Sequence, residues 1–183
     1  MTYLSGPGPQ VDEWSLDGWA PRRSWIPSGH LGIEWTVRRM RRLVIESLGS
    51  PLLAMTAGDI VSRSRSSTEA AERIRMFLES FVRFAHDPRG VELLKPPDMM
   101  LEEIEQLGEA VGDCDDVAVF GAALGRAVGL PARFRLLAFT RGAPFEHVYA
   151  ELLTDGGWLD LDTTRPLQLP SGLEIVRTST REV

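Results

Sequence analysis

The chain has 183 residues, which is enough to bury a hydrophobic core without disulfide bonds or a structural metal, and we expect most of it to form one domain. Its formal net charge of −6 argues against a nucleic-acid-binding protein that works through a broad basic surface. The single cysteine excludes an internal disulfide bond and favours a reducing compartment or a thiol kept for chemistry.

The sequence carries no sign of a membrane span or an export signal. No apolar run approaches the ~18 residues that a bilayer requires. Residues 1–10 lack the basic and apolar regions of a signal peptide. We therefore expect a cytoplasmic protein that is not secreted by a signal peptide and has neither a membrane nor nucleic acid among its partners.

Residues 1–30 are rich in glycine, proline and serine, yet they contain three of the five tryptophans, Trp14, Trp19 and Trp25. The segment has no helical or strand period and is too aromatic for a solvated tail. It is predicted to be an irregular N-terminal arm, separate from a domain of residues 31–183. The arm either wraps its own domain and buries the indoles or docks on a partner chain.

Residues 31–129 carry the apolar spacing of successive helices. The first predicted helix has its apolar face at Ile33, Val37, Met40 and Val44 and ends at Gly49 and Pro51. A short second helix is predicted over 52–61.

A third helix is predicted to begin at the capping-box pair Ser66 and Glu69 and to end near the turn residues 86–90. Its inward side chains are predicted to be Ile74, Phe77, Phe81 and Val82. A fourth helix begins at 96–98 and is closed by Gly108, with its apolar side at Met100, Ile104 and Leu107.

The cysteine lies in the segment 112–116 (GDCDD), directly ahead of an apolar helix predicted over 114–128. A thiol in the first turn of a helix is favoured as a thiolate by the helix dipole. Asp113, Asp115 and Asp116 oppose this, because nearby negative charge disfavours a thiolate. They are predicted to cap the helix, although three carboxylates could instead hold a hard cation. A reactive Cys114 would therefore need a basic partner.

Gly129-Leu130-Pro131 is a stop signal for the helix. After it the spacing of apolar residues changes from a period of 3.6 residues to one of 2, which predicts strands over 133–139, 145–153, 158–163 and 173–177. The turn residues Asp155-Gly156-Gly157 indicate a hairpin between the middle two. The predicted fold class is α+β, with a helical part (31–129) packed against an antiparallel sheet (130–183) and the cysteine helix at the centre.

Of the three histidines, His147 is the best candidate for a base, since it lies on the strand that follows the cysteine helix. If Asp155-Gly156 is a two-residue turn, Tyr149 faces Asp162, and Asp162 becomes a diagonal neighbour of His147 within side-chain reach. Asp160 lies one pair further along and ranks second. The remaining histidines, His30 and His86, are predicted to be surface or loop residues.

Residues 70–164 resemble the bacterial transglutaminase-like superfamily, whose fold is related to that of papain-like cysteine peptidases. The matching pieces are FVRF before DP (81–88), GDCDD with its apolar helix, VGLPAR (128–133), HVYAE (147–151) and WLDLDTT (158–164). The resemblance implies that Cys114 is the nucleophile, His147 the base and Asp162 the third member of a triad. Thr163 departs from the family pattern, which usually has proline there.

The expected function is therefore acyl transfer at an amide bond of a peptide or protein, with hydrolysis as the default outcome and with no metal or cofactor. The Cys114 backbone N–H supplies one donor to an oxyanion hole, and Gln106 is a candidate for the second. The chain also resembles transglutaminase-like proteins encoded among phage structural genes, through 32–44 and GDCDD. In this alternative the fold is an assembly piece of a phage-like particle, docked through residues 1–30, with the triad idle or accessory.

Overall fold

The computed structural model describes residues 10–14, 21–25, 29–87, 91–164 and 174–183, with backbone alone for the first two segments and for 91–92. Within these ranges, helices make up most of the first two thirds of the chain and an antiparallel sheet the last third, so the predicted α+β class is confirmed. The helices are α1 (His30–Ser47), α2 (Pro51–Val61), α3 (Ser67–Phe81), α4 (Pro97–Leu107) and α5 (Cys114–Ala127).

The helix ends follow from local signals in the sequence. The Ser50 and Ser66 side chains each accept a hydrogen bond from a first-turn N–H of α2 and α3. At the end of α5, Gly129 takes a positive φ of 83°, and the N–H of Leu130 reaches back to the Gly125 carbonyl at 2.9 Å. The predicted stop at Gly129 is thereby confirmed.

No single helix in the described ranges is long and apolar enough to cross a membrane. The α1–α2 pair passes the same test of length and composition when taken together, but is bent by 86° at its break.

Helix α5 is buried on all sides, and every residue from 115 to 125 is buried. Such a helix must be enclosed by other elements, and α5 contacts all four other helices and the sheet. Gly125 marks the closest approach to the sheet, because a Cβ there would overlap the Leu152 side chain. The N-terminus of α5 is consequently fixed by the whole core.

The main sheet has four antiparallel strands, β6 (Ala132–Ala138), β7 (His147–Thr154), β8 (Gly157–Asp160) and β9 (Arg177–Glu182). Their order in the sheet is β8–β7–β6–β9. Thr154 pairs with Gly157 and Glu151 with Asp160, so the predicted two-residue turn Asp155-Gly156 is confirmed.

The last strand was predicted over 173–177, and these bounds are wrong. Residue 173 lies outside the described residues, and the observed strand β9 begins at Arg177 and lies beside β6. The apolar pair Ile175 and Val176, which suggested the strand, is exposed. The observed strand is instead polar, as suits an edge strand with one half-covered face.

The N-terminal arm is not irregular throughout, contrary to prediction. It contains β1 (Gln10–Trp14) and β2 (Pro21–Trp25), paired antiparallel, and β1 also pairs in parallel with β4 (Val91–Leu94). Pairing with a strand some 80 residues away in sequence leaves no local periodic signal. The pairing favours an arm that packs on its own domain, while Trp19 lies outside the described residues.

Helix α3 ends at Phe81, before the turn at 86–90 where it was predicted to stop. The next three residues form β3 (Val82–Phe84), which pairs in parallel with β5 (Ala110–Gly112) just ahead of the cysteine. Branched and aromatic side chains favour a strand here once a partner strand is available.

Two predicted inward side chains are also placed wrongly. Phe81 is 40% exposed at the end of α3, where Leu78 is fully buried instead, and Leu107 is 73% exposed at the end of α4.

Candidate active site

A cavity of about 320 Å³ lies where the first turn of α5 meets α1 and the start of β7. Cys114 and His147 both line it. The apolar part of its wall consists of Ile33, Val37, Met40, Leu136, Phe145 and Val148. Two of the three predicted site residues are thus brought to one concave surface by elements more than 30 residues apart in sequence.

Cys114 is the first residue of α5 and is half-buried. Asp113 precedes it as the N-cap, and its carboxylate accepts the Asp115 N–H at 3.2 Å. The helix behind the thiol is held rigidly by the core, so the positive end of its dipole is fixed at the cavity.

His147 is hydrogen-bonded to Asp162, as the predicted hairpin register requires. Its Nε2 lies 3.1 Å from both Oδ1 and Oδ2 of Asp162, and both side chains are fully buried. The Leu161 N–H bonds to the Ala150 carbonyl at 2.9 Å, which continues the register past the end of β8 and carries Asp162 back to His147. Asp160 is exposed and does not line the cavity.

The loop before His147 is held by its own side chains. The Glu146 carboxylate accepts the backbone N–H groups of Phe139 and Thr140 at 2.9 and 3.0 Å, which closes the β6–β7 connection. The Arg177 guanidinium lies over the Phe145 ring, with its Cζ 4.4 Å from the ring centroid. These contacts fix Phe145 in the cavity wall and the approach of β7 to the thiol.

The three aspartates around Cys114 do not share one role. Asp113 caps the helix as predicted, whereas Asp116 is 1% exposed and accepts the Lys95 backbone N–H at 2.7 Å, which ties the segment before α4 to α5. The carboxylate oxygens of Asp113, Asp115 and Asp116 lie within 4.8 Å of one another. Burial, together with the charge of Asp113, raises the pKa of Asp116 well above the ordinary carboxyl range.

Replacing Asp116 with asparagine should therefore change how stability depends on pH. With a raised folded-state pKa, the folded chain keeps a proton that the unfolded chain releases in the ordinary carboxyl range. The free energy of unfolding of the wild type should therefore fall as the pH rises from that range toward the raised pKa. The asparagine does not titrate, and its oxygen can still accept the Lys95 N–H.

Urea unfolding of both proteins between about pH 4 and pH 8 measures the effect. The free energy of unfolding of the variant, relative to that of the wild type, should increase with pH. An Asp160→Asn variant, altered at an exposed carboxylate, serves as the control. A relative stability of Asp116→Asn that stays constant over this range would contradict the prediction.

His86 is exposed in the loop after β3, which agrees with the prediction of a surface or loop residue. The prediction did not anticipate that His86 lines the same cavity as Cys114, with its ring edge-on to Phe84 at a centroid distance of 4.8 Å. The sequence signal for this position is the run of residues 82–84, whose side chains favour a β-strand. Once this run pairs with another strand, it directs the residues that follow toward the cysteine. His30 is exposed at the start of α1, as predicted, and does not line the cavity.

Gln106, the candidate for an oxyanion-hole donor, is exposed near the end of α4 and is not among the residues that line the cavity. Its position in the last turn of α4 directs it to solvent, so the expectation for this residue was wrong.

Comparison with known proteins identifies the family. Residues 54–163 match the family described as the transglutaminase-like superfamily. This match spans more than half of the chain and contains all three predicted site residues. None of the curated proteins matches the chain.

Two solved structures are similar. One, of a candidate protease from Parabacteroides distasonis ATCC 8503, has a TM-score of 0.59 and 13% identity and covers 93% of this chain and 33% of that one. The other, of a candidate cysteine protease from Cytophaga hutchinsonii, has a TM-score of 0.46 and 24% identity and covers 69% of this chain and 41% of that one. The chain thus spans less than half the length of either protein. By the family match, the chain belongs to the transglutaminase-like superfamily.

Proposed function

We propose that the protein is a thiol enzyme that hydrolyses an amide bond, with Cys114 as nucleophile, His147 as general base and Asp162 as the residue that orients His147. The observation that carries this proposal is the shared cavity: Cys114 and His147 line it together, and His147 is hydrogen-bonded to the buried Asp162.

The hydrogen bond to Asp162 supports a separate role for each of the two ring nitrogens. A carboxylate can only accept, so Nε2 carries the proton and Nδ1 is the nitrogen that takes the proton of the Cys114 thiol. The carboxylate also stabilises the imidazolium that this transfer creates. Because Asp162 is fully buried, its charge is screened little by solvent.

The reaction proceeds in two halves with His147 returning each proton. Cys114 Sγ forms a bond to the carbonyl carbon, whose oxygen becomes an oxyanion, while the thiol proton passes to His147. The intermediate collapses, the carbon–nitrogen bond breaks, and His147 protonates the leaving amine. Water, deprotonated by His147, then attacks the thioester and releases the acid and the free thiol.

The lining of the cavity favours a neutral acyl group with an apolar side chain. Apolar side chains form the largest group in the wall, and the described lining contains no lysine or arginine to bind an anion. Asp113, Asp115 and Glu146 lie at the same cavity and would repel an acidic substrate. A peptide with an apolar residue on the acyl side of the scissile bond fits this surface best. The predicted role in a phage-like particle, docked through residues 1–30, stays a prediction.

The test is covalent labelling of the thiol near neutral pH. Iodoacetamide should modify Cys114 faster than it modifies free glutathione, because His147 and the helix dipole both favour the thiolate. Prior labelling should abolish cleavage of a library of short peptides with an apolar residue before a fluorogenic amide. A Cys114 that reacts no faster than glutathione, or cleavage that survives complete labelling, would overturn the proposal.

A further inference from the structure

The tetrahedral intermediate of the proposed reaction carries a negative charge on the former carbonyl oxygen. Stabilising it requires hydrogen-bond donors fixed at the cavity before the substrate arrives. The backbone N–H of Cys114 is placed for this at the N-terminus of α5. A second donor must come from another element that borders the thiol.

Within the described lining of the cavity, two side chains carry a ring N–H, His86 and His147. The Nε2 of His147 is engaged by Asp162. Thr36, on α1, is the one hydroxyl of this lining. The choice of the second donor therefore lies between His86 and Thr36.

The pairing of β3 with β5 favours His86. The two strands run in parallel, with Phe84 opposite Gly112, and the Ala85 N–H bonds to the Gly112 carbonyl at 3.0 Å. His86 and Cys114 each lie two residues beyond that pair. The pairing of β3 with β5 therefore places the imidazole of His86 on the side of the nucleophile.

The ring of His86 is positioned but not otherwise engaged in the described part of the chain. Its edge-on contact with Phe84 holds it, and no hydrogen bond or ion pair to a described group involves its nitrogens. Its side chain is exposed and lines the cavity, so the imidazole is accessible to a bound substrate. A ring N–H in this position is available for a substrate oxygen.

We propose that His86 is a catalytic residue that donates a ring N–H to the oxyanion, together with the backbone N–H of Cys114. The inference rests on the proposed function, since it requires a carbonyl group attacked at Cys114. It assigns His86 a role distinct from that of His147, which moves the proton, because His86 donates a hydrogen bond and keeps its proton.

Two reactions of the same thiol separate these roles. Acylation by p-nitrophenyl acetate passes through a tetrahedral oxyanion. Alkylation by iodoacetamide does not, because the sulfur displaces iodide from a saturated carbon. Replacing His86 with alanine should slow acylation by about 10²- to 10³-fold and leave the alkylation rate within about twofold. His86→Gln, which restores an N–H donor, should recover part of the acylation rate, and His30→Ala is the matched control at an exposed histidine.

Equal losses in both reactions would overturn the proposal, since they would assign His86 to thiolate formation or to the integrity of the site. Unchanged acylation in His86→Ala would overturn it as well. So would a selective loss of acylation in Thr36→Val with none in His86→Ala. Failure of the proposed function itself gives a different result: the wild-type protein would then release p-nitrophenolate no faster than Cys114→Ala does.

Discussion

Replacing Cys114 with alanine is expected to reduce amide hydrolysis by about 10⁴-fold or more, to the level left by substrate binding and the oxyanion donors alone. The loss is large because no other described residue of the cavity offers a comparable nucleophile: apart from Cys114, its wall holds apolar groups, carboxylates, two imidazoles and one hydroxyl. Release of the fluorophore from the peptide library by wild type and variant measures the effect.

A double-variant comparison tests whether the residues act as a unit. In the proposed mechanism His147 works only through Cys114, so His147→Ala should be nearly as damaging as Cys114→Ala. The protein with both substitutions should then be no worse than either alone. Losses that multiply in the double variant would show that His147 contributes independently of the thiol. Urea unfolding of each variant checks that the α5 core is intact.

The parts of the site that could be predicted are those set by local rules. An apolar helix directly after GDCDD defined the position of Cys114, and the turn Asp155-Gly156 defined the whole register of the β7–β8 hairpin. Once that register is fixed, Asp162 must lie diagonal to His147, because each residue of slip would move it to the other face. One two-residue turn therefore determined which aspartate binds the histidine.

The parts that could not be predicted depend on strands that are far apart in sequence. His86 reaches the cavity because 82–84 pair with 110–112, and the first strands of the chain form because β1 pairs with β4. Neither segment shows an alternating apolar pattern long enough to reveal a strand. The residue that sequence reasoning offered in place of His86, Gln106, had the right chemistry but lay on an exposed helix end.

Helix faces were predicted well at helix centres and poorly at helix ends. Met40 and Ile74 are buried as expected, while Phe81 and Leu107 are exposed in the last turns of their helices. A terminal turn has no following turn to cover it, so the apolar period continues in the sequence after the packing partner has ended.

Replacing Asp162 with asparagine is expected to lower the rate of amide hydrolysis by about 10²- to 10⁴-fold while leaving the fold intact. The asparagine has nearly the same shape, but it carries no charge to stabilise an imidazolium at His147. Its NH₂ group can also donate to Nε2, which favours the tautomer with the proton on Nδ1. In that tautomer His147 cannot accept the proton of Cys114.

Asp160→Asn is the matched control, since it removes one carboxylate from the same stretch of chain. Asp160 is exposed at the end of β8 and does not line the cavity, so its replacement should change the rate by less than about twofold. Equal effects of the two substitutions would contradict a specific role for Asp162 and would point to a general effect of charge.

The pH dependence of iodoacetamide labelling distinguishes positioning from a purely structural effect. If Asp162 acts by orienting His147, the labelling profile of Asp162→Asn should shift upward toward that of an ordinary thiol, near pH 8.5. The profile of Asp160→Asn should match that of the wild type. A slower Asp162→Asn protein with an unshifted profile would mean that the buried carboxylate supports the site without tuning the nucleophile. The hydrogen bond between Nε2 of His147 and Asp162 would then have no part in activating Cys114.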